Sequence, residues 1–284
     1  MANAPLSEDA GSVRTPTRRQ IYEDRLKRRA TVIAAASSAA VILGLVLLVP
    51  RAPGWAAVQR SFFNREIFLE TFPGLLEAFL VDVAIFLWCA PAIAILGLLI
   101  ALCRDARAPA LFPLRAFGAL YTDVFRGLPV ILVVYLIGFG IPGLGLPRPW
   151  NSPYIWGSLA LILVYAAYVA EVIRSGIDSI HQSQRSAAAS LGLSEADVMR
   201  YVILPQAIRN VAPANMNLFI ALQKDVALLS FIGPVEIFRQ AGVYKSLLAN
   251  FTPYVGAALI FLAITIPATR YADYLLNNER RRQR

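Results

Sequence analysis

The sequence predicts an all-α polytopic membrane protein, and both its composition and its apolar runs support this class. The chain has 284 residues, of which 57% are hydrophobic and 16% are charged, whereas about 25% of residues are charged in typical soluble domains. Charge-free runs near the roughly 20 residues that a helix needs to cross the hydrocarbon core cover residues 31–50, 83–103, 127–146, 152–170 and 246–269. A sixth run, 211–235, is interrupted by Lys224 and Asp225, so we expect six spans.

The first apolar run, residues 31–50, is expected to remain in the membrane as an N-terminal span. It is longer than the apolar core of a typical signal peptide, and a charged segment precedes it. That segment, residues 1–30, predicts a basic cytoplasmic tail held near anionic lipid. Aromatic residues among charges follow the span, which favours an interfacial helix. Residues 31–73 therefore comprise the N-terminal span and an outer linker, and Pro73 and Gly74 are expected to begin a new helix.

The distribution of basic residues predicts the orientation of the chain. Most of the 27 Lys and Arg residues fall in segments on one side of the membrane when the N-terminus is placed in the cytoplasm. Cytoplasmic loops carry such an excess of positive charge, so both termini are predicted to be cytoplasmic. Residues 274–284 then form a second basic cytoplasmic tail. This topology explains the net charge of +9, and no nucleic-acid partner is expected.

A polar connector between two spans, SAAASLGLSEADVMRYVILP, predicts two short helices at an angle. Gly192 is suited to the left-handed conformation that closes a helix. Ser194 and Asp197 have the spacing of a capping box and start the second helix, and Pro205 limits how far that helix continues without a kink. The alanines before Gly192 leave a surface without bulk, which suits close docking of another protein. From composition alone, an ordinary cytoplasmic connector explains the same pattern.

The connector and its flanking segments resemble a known family of membrane permeases. The stretch QRSAAASLGLSEADVMRYVILPQA is similar to the cytoplasmic EAA loop of binding-protein-dependent ABC transporter permeases. The segments YTDVFRGLP, AAYVAEVIRSGI, LPQAIRN and LQKDVALLSFIGPVEI resemble the branch of that family that imports polar amino acids. The chain departs from the family pattern at Ser186, where Glu is usual, at Ser183, where Gly is usual, and at KDVAL, which stands in place of KDTSL.

The resemblance implies a type I ABC importer permease fold, with a five-span core at residues 74–273 and one extra N-terminal span. It also implies that residues 183–205 are a coupling loop that docks on an ATP-hydrolysing subunit. The residues implied in that contact are Arg185, Ser186, Ala187, Ala188, Leu191, Gly192 and Leu193.

The function and partners are likewise implied by the resemblance. The chain would be the transmembrane subunit of an ATP-driven importer in the bacterial cytoplasmic membrane, forming the path for a polar amino acid. Another small polar solute, such as an amino-acid derivative, is an alternative substrate; a passive channel or facilitator and a purely structural subunit are alternative roles. The implied partners are a second permease subunit, identical or homologous, two ATP-binding subunits, an extracytoplasmic substrate-binding protein and membrane lipid. ATP and Mg would be used by the partners, and no cofactor is expected on this chain.

Ionisable residues at membrane depth are costly, so each is a candidate for the translocation path or its gate. Arg126 follows Asp123 by three residues, and Arg174 follows Glu171 by three, so each pair can meet on one helix face. These pairs fit either local ion pairs that hold helix ends at the membrane surface or a role in the gate or in steering a charged substrate.

Lys224 and Asp225 are adjacent, so they face different directions on a helix and are expected to have separate partners. Both are candidates for lining the path, and Lys224 is also a candidate for substrate contact. Asp82 fits either a pair across helices or contact with a cationic amino group of the substrate. The run from Lys224 to Gly233 is expected to be irregular backbone at membrane depth, because Gly233 and Pro234 allow the chain to break there.

No catalytic or metal site is expected in this chain. His181 is the only histidine and falls on the connector. No nucleophile with a base, no paired Asp and no metal-ligand cluster occurs at a suitable spacing. Cys89 and Cys103 are 14 residues apart, about 21 Å along a helix, which is too far for a disulfide.

Overall fold

The computed structural model describes residues 18–106 and 108–282, which are almost entirely helical. No strand occurs in this described part of the chain, so the predicted all-α class is confirmed. Two compact units are present, Met1–Arg60 and Ser61–Arg284.

The first unit contains helix α1, Arg18–Leu48, which ends in the 3-10 turn Val49–Arg51. The stretch Leu26–Arg51 is long and apolar enough to cross a membrane, and no residue of its most apolar window is buried. A helix that is apolar all round is typical of a membrane span. Residues 1–17, the larger part of the predicted tail 1–30, lie outside the described residues. The rest of that tail is helical, because α1 begins at Arg18.

Helix α2, Trp55–Phe62, contains the boundary between the units. The helices that follow are α3 (Arg65–Asp105), α4 (Phe112–Gly127), α5 (Val130–Gly140), α6 (Pro153–Asp178), α7 (Gln182–Ser190), α8 (Glu195–Asp197), α9 (Leu204–Asp225), α10 (Ile237–Leu248) and α11 (Thr252–Arg282). Between α8 and α9 the segment Val198–Ile203 is π-helical, and Val226–Phe231 after α9 is a 3-10 helix.

Four stretches of the described residues are long and apolar enough to cross a membrane: Leu26–Arg51, Trp55–Asp105, Pro153–Asp178 and Thr252–Leu275. Helices α4 and α5 qualify together as a broken span, since they are bent by 104°. The helices therefore give four spans, or five with the bent pair, rather than the six expected.

The predicted span at 127–146 is not a single helix. It contains only α5, whose 11 residues extend about 16 Å at 1.5 Å per residue, which is too short to cross the membrane. Pro129 explains the break, because the residue before a proline is disfavoured in helical conformation, and Leu128 is extended, with φ −97° and ψ 140°. The bent pair of α4 and α5 replaces the predicted span.

The predicted span at 211–235 is not a single helix either. Helix α9 ends at Asp225, the chain tightens into the 3-10 helix, and a loop with Gly233 at φ 136° precedes α10. The irregular backbone expected between Lys224 and Gly233 is thereby confirmed, and it is what interrupts the span.

Helix α3 continues through Pro73, so the new helix expected at Pro73 and Gly74 is wrong. The helix begins instead after Asn64, whose side-chain oxygen accepts hydrogen bonds from backbone N–H groups of the first turn. Proline is tolerated in membrane helices because polar side chains and neighbouring helices satisfy the backbone groups that it frees.

Helix α6 is the centre of the second unit and packs against α3, α4, α5 and α9. In its most apolar stretch 61% of the residues are buried, and small residues, including Ala166, Ala167 and Ala170, are fully buried. Small residues let helix backbones approach closely. At Gly97 of α3, an added Cβ would lie only 2.6 Å from Val169 of α6.

A second, smaller core joins α10 to α3 and α11. Its buried apolar residues are Leu75, Phe79, Ile237, Ala241, Ala257 and Ile260. This packing fixes the start of α10 against α3, where two buried carboxylates described below are found.

Candidate functional site

The polar connector forms a tight corner between α7 and α8. Gly192 has a left-handed φ of 81°. The N–H groups of Gly192 and Leu193 donate to the carbonyl oxygens of Ala189 (2.9 Å) and Ala188 (3.3 Å). This pair of hydrogen bonds closes a helix end around a left-handed residue, so the predicted helix end at Gly192 is confirmed.

Side-chain caps begin both helices of the corner. The His181 ring nitrogen Nδ1 accepts a hydrogen bond from the N–H of Ser183 at the start of α7. The Ser194 hydroxyl accepts from the N–H of Asp197 at the start of α8 and donates to the Asp197 carboxylate. The predicted cap at Ser194 is confirmed, and the exposed His181 has a structural partner.

Pro205 does not end the second helix, because the backbone widens before it. Val198–Ile203 is π-helical and passes directly into α9 at Leu204. A proline lacks the N–H for the helix ladder and its ring crowds the preceding turn, and the wider turn relieves this crowding. Helix α8, the π-helical segment and α9 are therefore one continuous helical rod.

The residues predicted to contact an ATPase subunit differ in their exposure. Ala188 is buried, at 4% exposure, and packs into the main core. Arg185 is half-buried. The exposed members, of which Leu191 is the most exposed at 83%, are Ser186, Ala187, Leu191, Gly192 and Leu193.

A cleft of about 500 Å³ lies beside these residues, between the connector and the end of α3. Its lining includes Leu102, Asp105, Arg185, Ala189, Leu193 and Met199. The Arg185 guanidinium donates to the Asp105 carboxylate at 3.3 Å, and each side chain is 15% exposed. The cleft is therefore mostly apolar, with one ion pair that fastens α7 to α3.

Glu171 of α6 has three arginine partners. Its Oε2 accepts from Arg104 of α3 at 2.5 Å and lies 3.3 Å from Nη1 of Arg126 of α4, and its Oε1 accepts from Arg174 at 2.9 Å. The predicted pair of Glu171 and Arg174 is confirmed. Among the described ion pairs, however, Arg126 contacts Glu171 rather than the exposed Asp123, because tertiary packing brings α4 against α6.

Lys224 and Asp225 have different surroundings, as expected for adjacent residues on a helix. The Asp225 carboxylate accepts a 2.8 Å hydrogen bond from the hydroxyl of Tyr165, which is only 3% exposed. Lys224 is exposed. Asp225 therefore joins α9 to α6, while the Lys224 ammonium is accessible on another face.

Asp82 forms the contact across helices that was one of its two predicted roles. It is 1% exposed, and its Oδ2 accepts from the N–H of Ile237 at 3.1 Å. Glu236, at 0% exposure, accepts from the N–H groups of Phe238 and Arg239 at 2.8 Å each. Two carboxylates thus satisfy the first N–H groups of α10, where the helix dipole favours negative charge.

Sequence reasoning missed Arg104, Asp105, Tyr165 and Glu236. Arg104 and Glu171 are 67 residues apart in sequence, and no local spacing relates them. The available signals were weak: Arg104 and Asp105 directly follow an apolar run, and Glu236 follows a Gly-Pro break.

Two further features concern chemistry. Among the described residues, no group of three His, Cys, Asp or Glu side chains is arranged to hold a metal ion. Cys89 is buried, Cys103 is partly buried, and both thiols are free.

These features define a multi-pass helical membrane protein. Its exposed connector is joined to α3 by an ion pair, and a network of charged residues centred on Glu171 joins α3, α4 and α6. Residues 67–281 match the family described as binding-protein-dependent transport system inner membrane component. The chain belongs to this family. The matched region begins after α1, so that helix is additional to the family region.

Named relatives and solved structures are similar to most of the chain. The "Probable amino-acid permease protein YxeN" of Bacillus subtilis (strain 168) is 34% identical over 204 residues, covering 71% of this chain and 89% of the relative. The "Arginine transport system permease protein ArtQ" of the same strain is 33% identical over 199 residues, covering 69% and 88%. A chain of an amino acid ABC transporter crystallised with histidines superposes with a TM-score of 0.66 at 31% identity, covering 74% and 96%. A chain of the inward-facing MetNI methionine ABC transporter shares the fold, with a TM-score of 0.57 at 16% identity.

Proposed function

We propose that this chain is the transmembrane subunit of an ATP-driven importer that carries a polar amino acid. The observation that carries the proposal is the exposed corner at Gly192, which is fastened on both sides. The Arg185–Asp105 ion pair fixes α7 to α3, and the continuous rod from α8 into α9 fixes the other arm. A corner held in this way transmits a displacement to the membrane helices instead of bending.

The connector acts as the coupling helix of the importer. Its exposed residues, together with Arg185, form the contact with an ATP-binding subunit, and the cleft beside α7 receives part of that subunit. Ala188 packs into the core and supports these residues from inside the chain. The chain itself hydrolyses nothing. It works with a second permease subunit, identical or homologous, two ATP-binding subunits that use ATP and Mg, and an extracytoplasmic substrate-binding protein.

In this proposal the interrupted segment 211–235 crosses the membrane despite its break, so that the core comprises five spans, α1 adds one, and both termini are cytoplasmic in the bacterial inner membrane. The names of YxeN, ArtQ and the amino acid ABC transporter support an amino acid as the substrate. Exposed Lys224 lines the path and contacts the substrate carboxylate, and Asp225 lies beside it at the end of α9. Asp82 serves the fold, because it is buried and its Oδ2 accepts a hydrogen bond from the start of α10.

Uptake by proteoliposomes tests this function. The complex is purified from native membranes through a tag on this chain, its partners are identified by mass spectrometry, and labelled amino acids are offered together with the binding protein. We expect uptake that requires ATP and stops with a non-hydrolysable analogue. Equal flux without ATP would indicate a facilitator, and uptake of an amino-acid derivative alone would indicate the alternative substrate. No movement of any of these solutes would contradict the proposal.

A further inference from the structure

Glu171 joins three helices at one carboxylate. Its partners are Arg104 at the end of α3, Arg126 at the end of α4 and Arg174 one turn along α6. The Glu171 side chain is only 23% exposed, and that of Arg104 only 14%. Partly buried charge pairs are screened less by salt than exposed ones. This cluster is therefore a firmer connection than a surface ion pair.

Arg126 is the cluster member that stands next to the bend between α4 and α5. Helix α4 ends one residue later, at Gly127, and the chain then turns by 104°. The side chain of Arg126 is 42% exposed, and Asp123 lies one turn earlier on α4, within reach at i−3. The spacing therefore makes Asp123 an alternative partner for the Arg126 guanidinium on the same helix face. Coupling between distant sites requires such an element with two discrete arrangements.

The same cluster is connected to the connector helix α7. Arg185 of α7 pairs with Asp105 of α3, and Asp105 is the neighbour of Arg104, which is bound to Glu171. Helix α7 is thus connected to Glu171 through the Arg185–Asp105 ion pair, the peptide bond between Asp105 and Arg104, and the Arg104–Glu171 ion pair. The Glu171–Arg126 ion pair extends this connection to α4.

We propose that Glu171 is the positioning residue that connects movement of α7 to the bend between α4 and α5. This role rests on the proposed import function. Displacement of α7 pulls the end of α3 through Arg185 and Asp105, and the accompanying shift of Arg104 loosens the hold of Glu171 on Arg126. Arg126 then pairs with Asp123, and the bend is free to change its angle.

The test uses the reconstituted complex with its ATPase subunits and the binding protein. Arg126→Gln removes only the connection to α4, and Glu171→Gln removes the shared carboxylate while keeping its size. Asp178→Asn is the matched control, because Asp178 is a more exposed partner, at 56%, of Arg174 alone. We measure the amount of ATPase subunit that copurifies and the amino acid transported per ATP hydrolysed.

We expect Arg126→Gln and Glu171→Gln to assemble normally but to transport about tenfold less per ATP, a loss within the usual range of coupling free energies. The control should match the wild type. Combining Glu171→Gln with Arg185→Gln should cost no more than the larger single loss, because two steps of one connection do not add.

Several outcomes would overturn the role of Glu171. Wild-type transport per ATP in Arg126→Gln would do so even if Glu171→Gln failed to assemble, since Arg126 is 42% exposed and its substitution removes only one of the three ion pairs of Glu171. Additive losses in the double variant, or an equal loss in Asp178→Asn, would also refute it. If the wild-type complex itself shows no ATP-dependent uptake, the proposed import function fails instead.

Discussion

Substitutions of Gly192 test two properties of the connector separately: the left-handed backbone conformation at this residue and the space that a docked subunit needs. The residue has φ 81°, and an L-residue in the left-handed region costs about 1–2 kcal/mol. Since 1.4 kcal/mol is about a tenfold change in an equilibrium constant, Gly192→Ala should reduce the population of the closed turn about tenfold relative to competing conformations. Apart from its two chain neighbours, no atom of the residues that the structure describes lies within 4 Å of a Cβ added at Gly192. Beyond the conformational cost, an added Cβ therefore meets no steric resistance from these residues, and a docked subunit is what would exclude a larger side chain.

Three variants of Gly192 distinguish these effects. Gly192→Asn should retain most of the function, because asparagine tolerates the left-handed conformation and is small. Gly192→Ala should show the conformational cost alone. Gly192→Leu adds bulk at the exposed corner and should abolish ATP-coupled uptake. The measurements are copurification of the ATPase subunit, ATP hydrolysis stimulated by the loaded binding protein, and uptake by proteoliposomes.

The result for the leucine variant decides whether the corner is a docking surface. Stimulated ATP hydrolysis that survives in Gly192→Leu would refute the reasoning. Equal losses in the alanine and leucine variants would mean that the turn conformation matters and that clearance does not. A passive facilitator would keep its flux in all three variants.

Three further substitutions give simpler outcomes. Ser186→Glu restores the side chain that is usual in the resembling family at an exposed position and should leave uptake unchanged; a clear loss would show that charge at this site disturbs docking. Tyr165→Phe removes the hydroxyl that donates to Asp225 and should lower the unfolding free energy in detergent by about 1–3 kcal/mol; an unchanged denaturation midpoint would contradict the contact. Asn64→Ala removes the cap of α3 and should cost about 1 kcal/mol, measured in the same way, with no loss expected if the cap is dispensable.

The parts of the site that the sequence predicted are those set by short-range chemistry. The helix end at Gly192 and the cap at Ser194 follow from conformational and hydrogen-bonding preferences that act within about one helical turn. The pairing of Glu171 with Arg174 follows from helical spacing in the same way. The structure reproduces each of these features.

The parts that the sequence did not predict depend on tertiary packing. Hydropathy shows that residues 127–146 are apolar. It does not show that the chain bends by 104° at Pro129, or that the helix after the bend is too short to cross the membrane. Helical spacing predicted an ion pair between Arg126 and Asp123, whereas the packing of α4 on α6 brings Arg126 to Glu171. The widening of Val198–Ile203 ahead of Pro205 likewise has no signature in hydrophobic periodicity.

Asp82 shows why a charge at membrane depth does not by itself identify a substrate contact. A buried carboxylate is stable only where donors compensate it, and the start of a helix supplies unpaired N–H groups. Glu236 meets that requirement with two N–H donors at α10. Asp82 has one donor there, for its Oδ2, while its buried Oδ1 has no hydrogen-bond partner among the described residues, and only 1% of the residue is exposed. Lys224 differs, because its ammonium is exposed. The exposed ammonium of Lys224, at the end of α9, is therefore a better candidate for substrate contact than the buried carboxylate of Asp82 in α3.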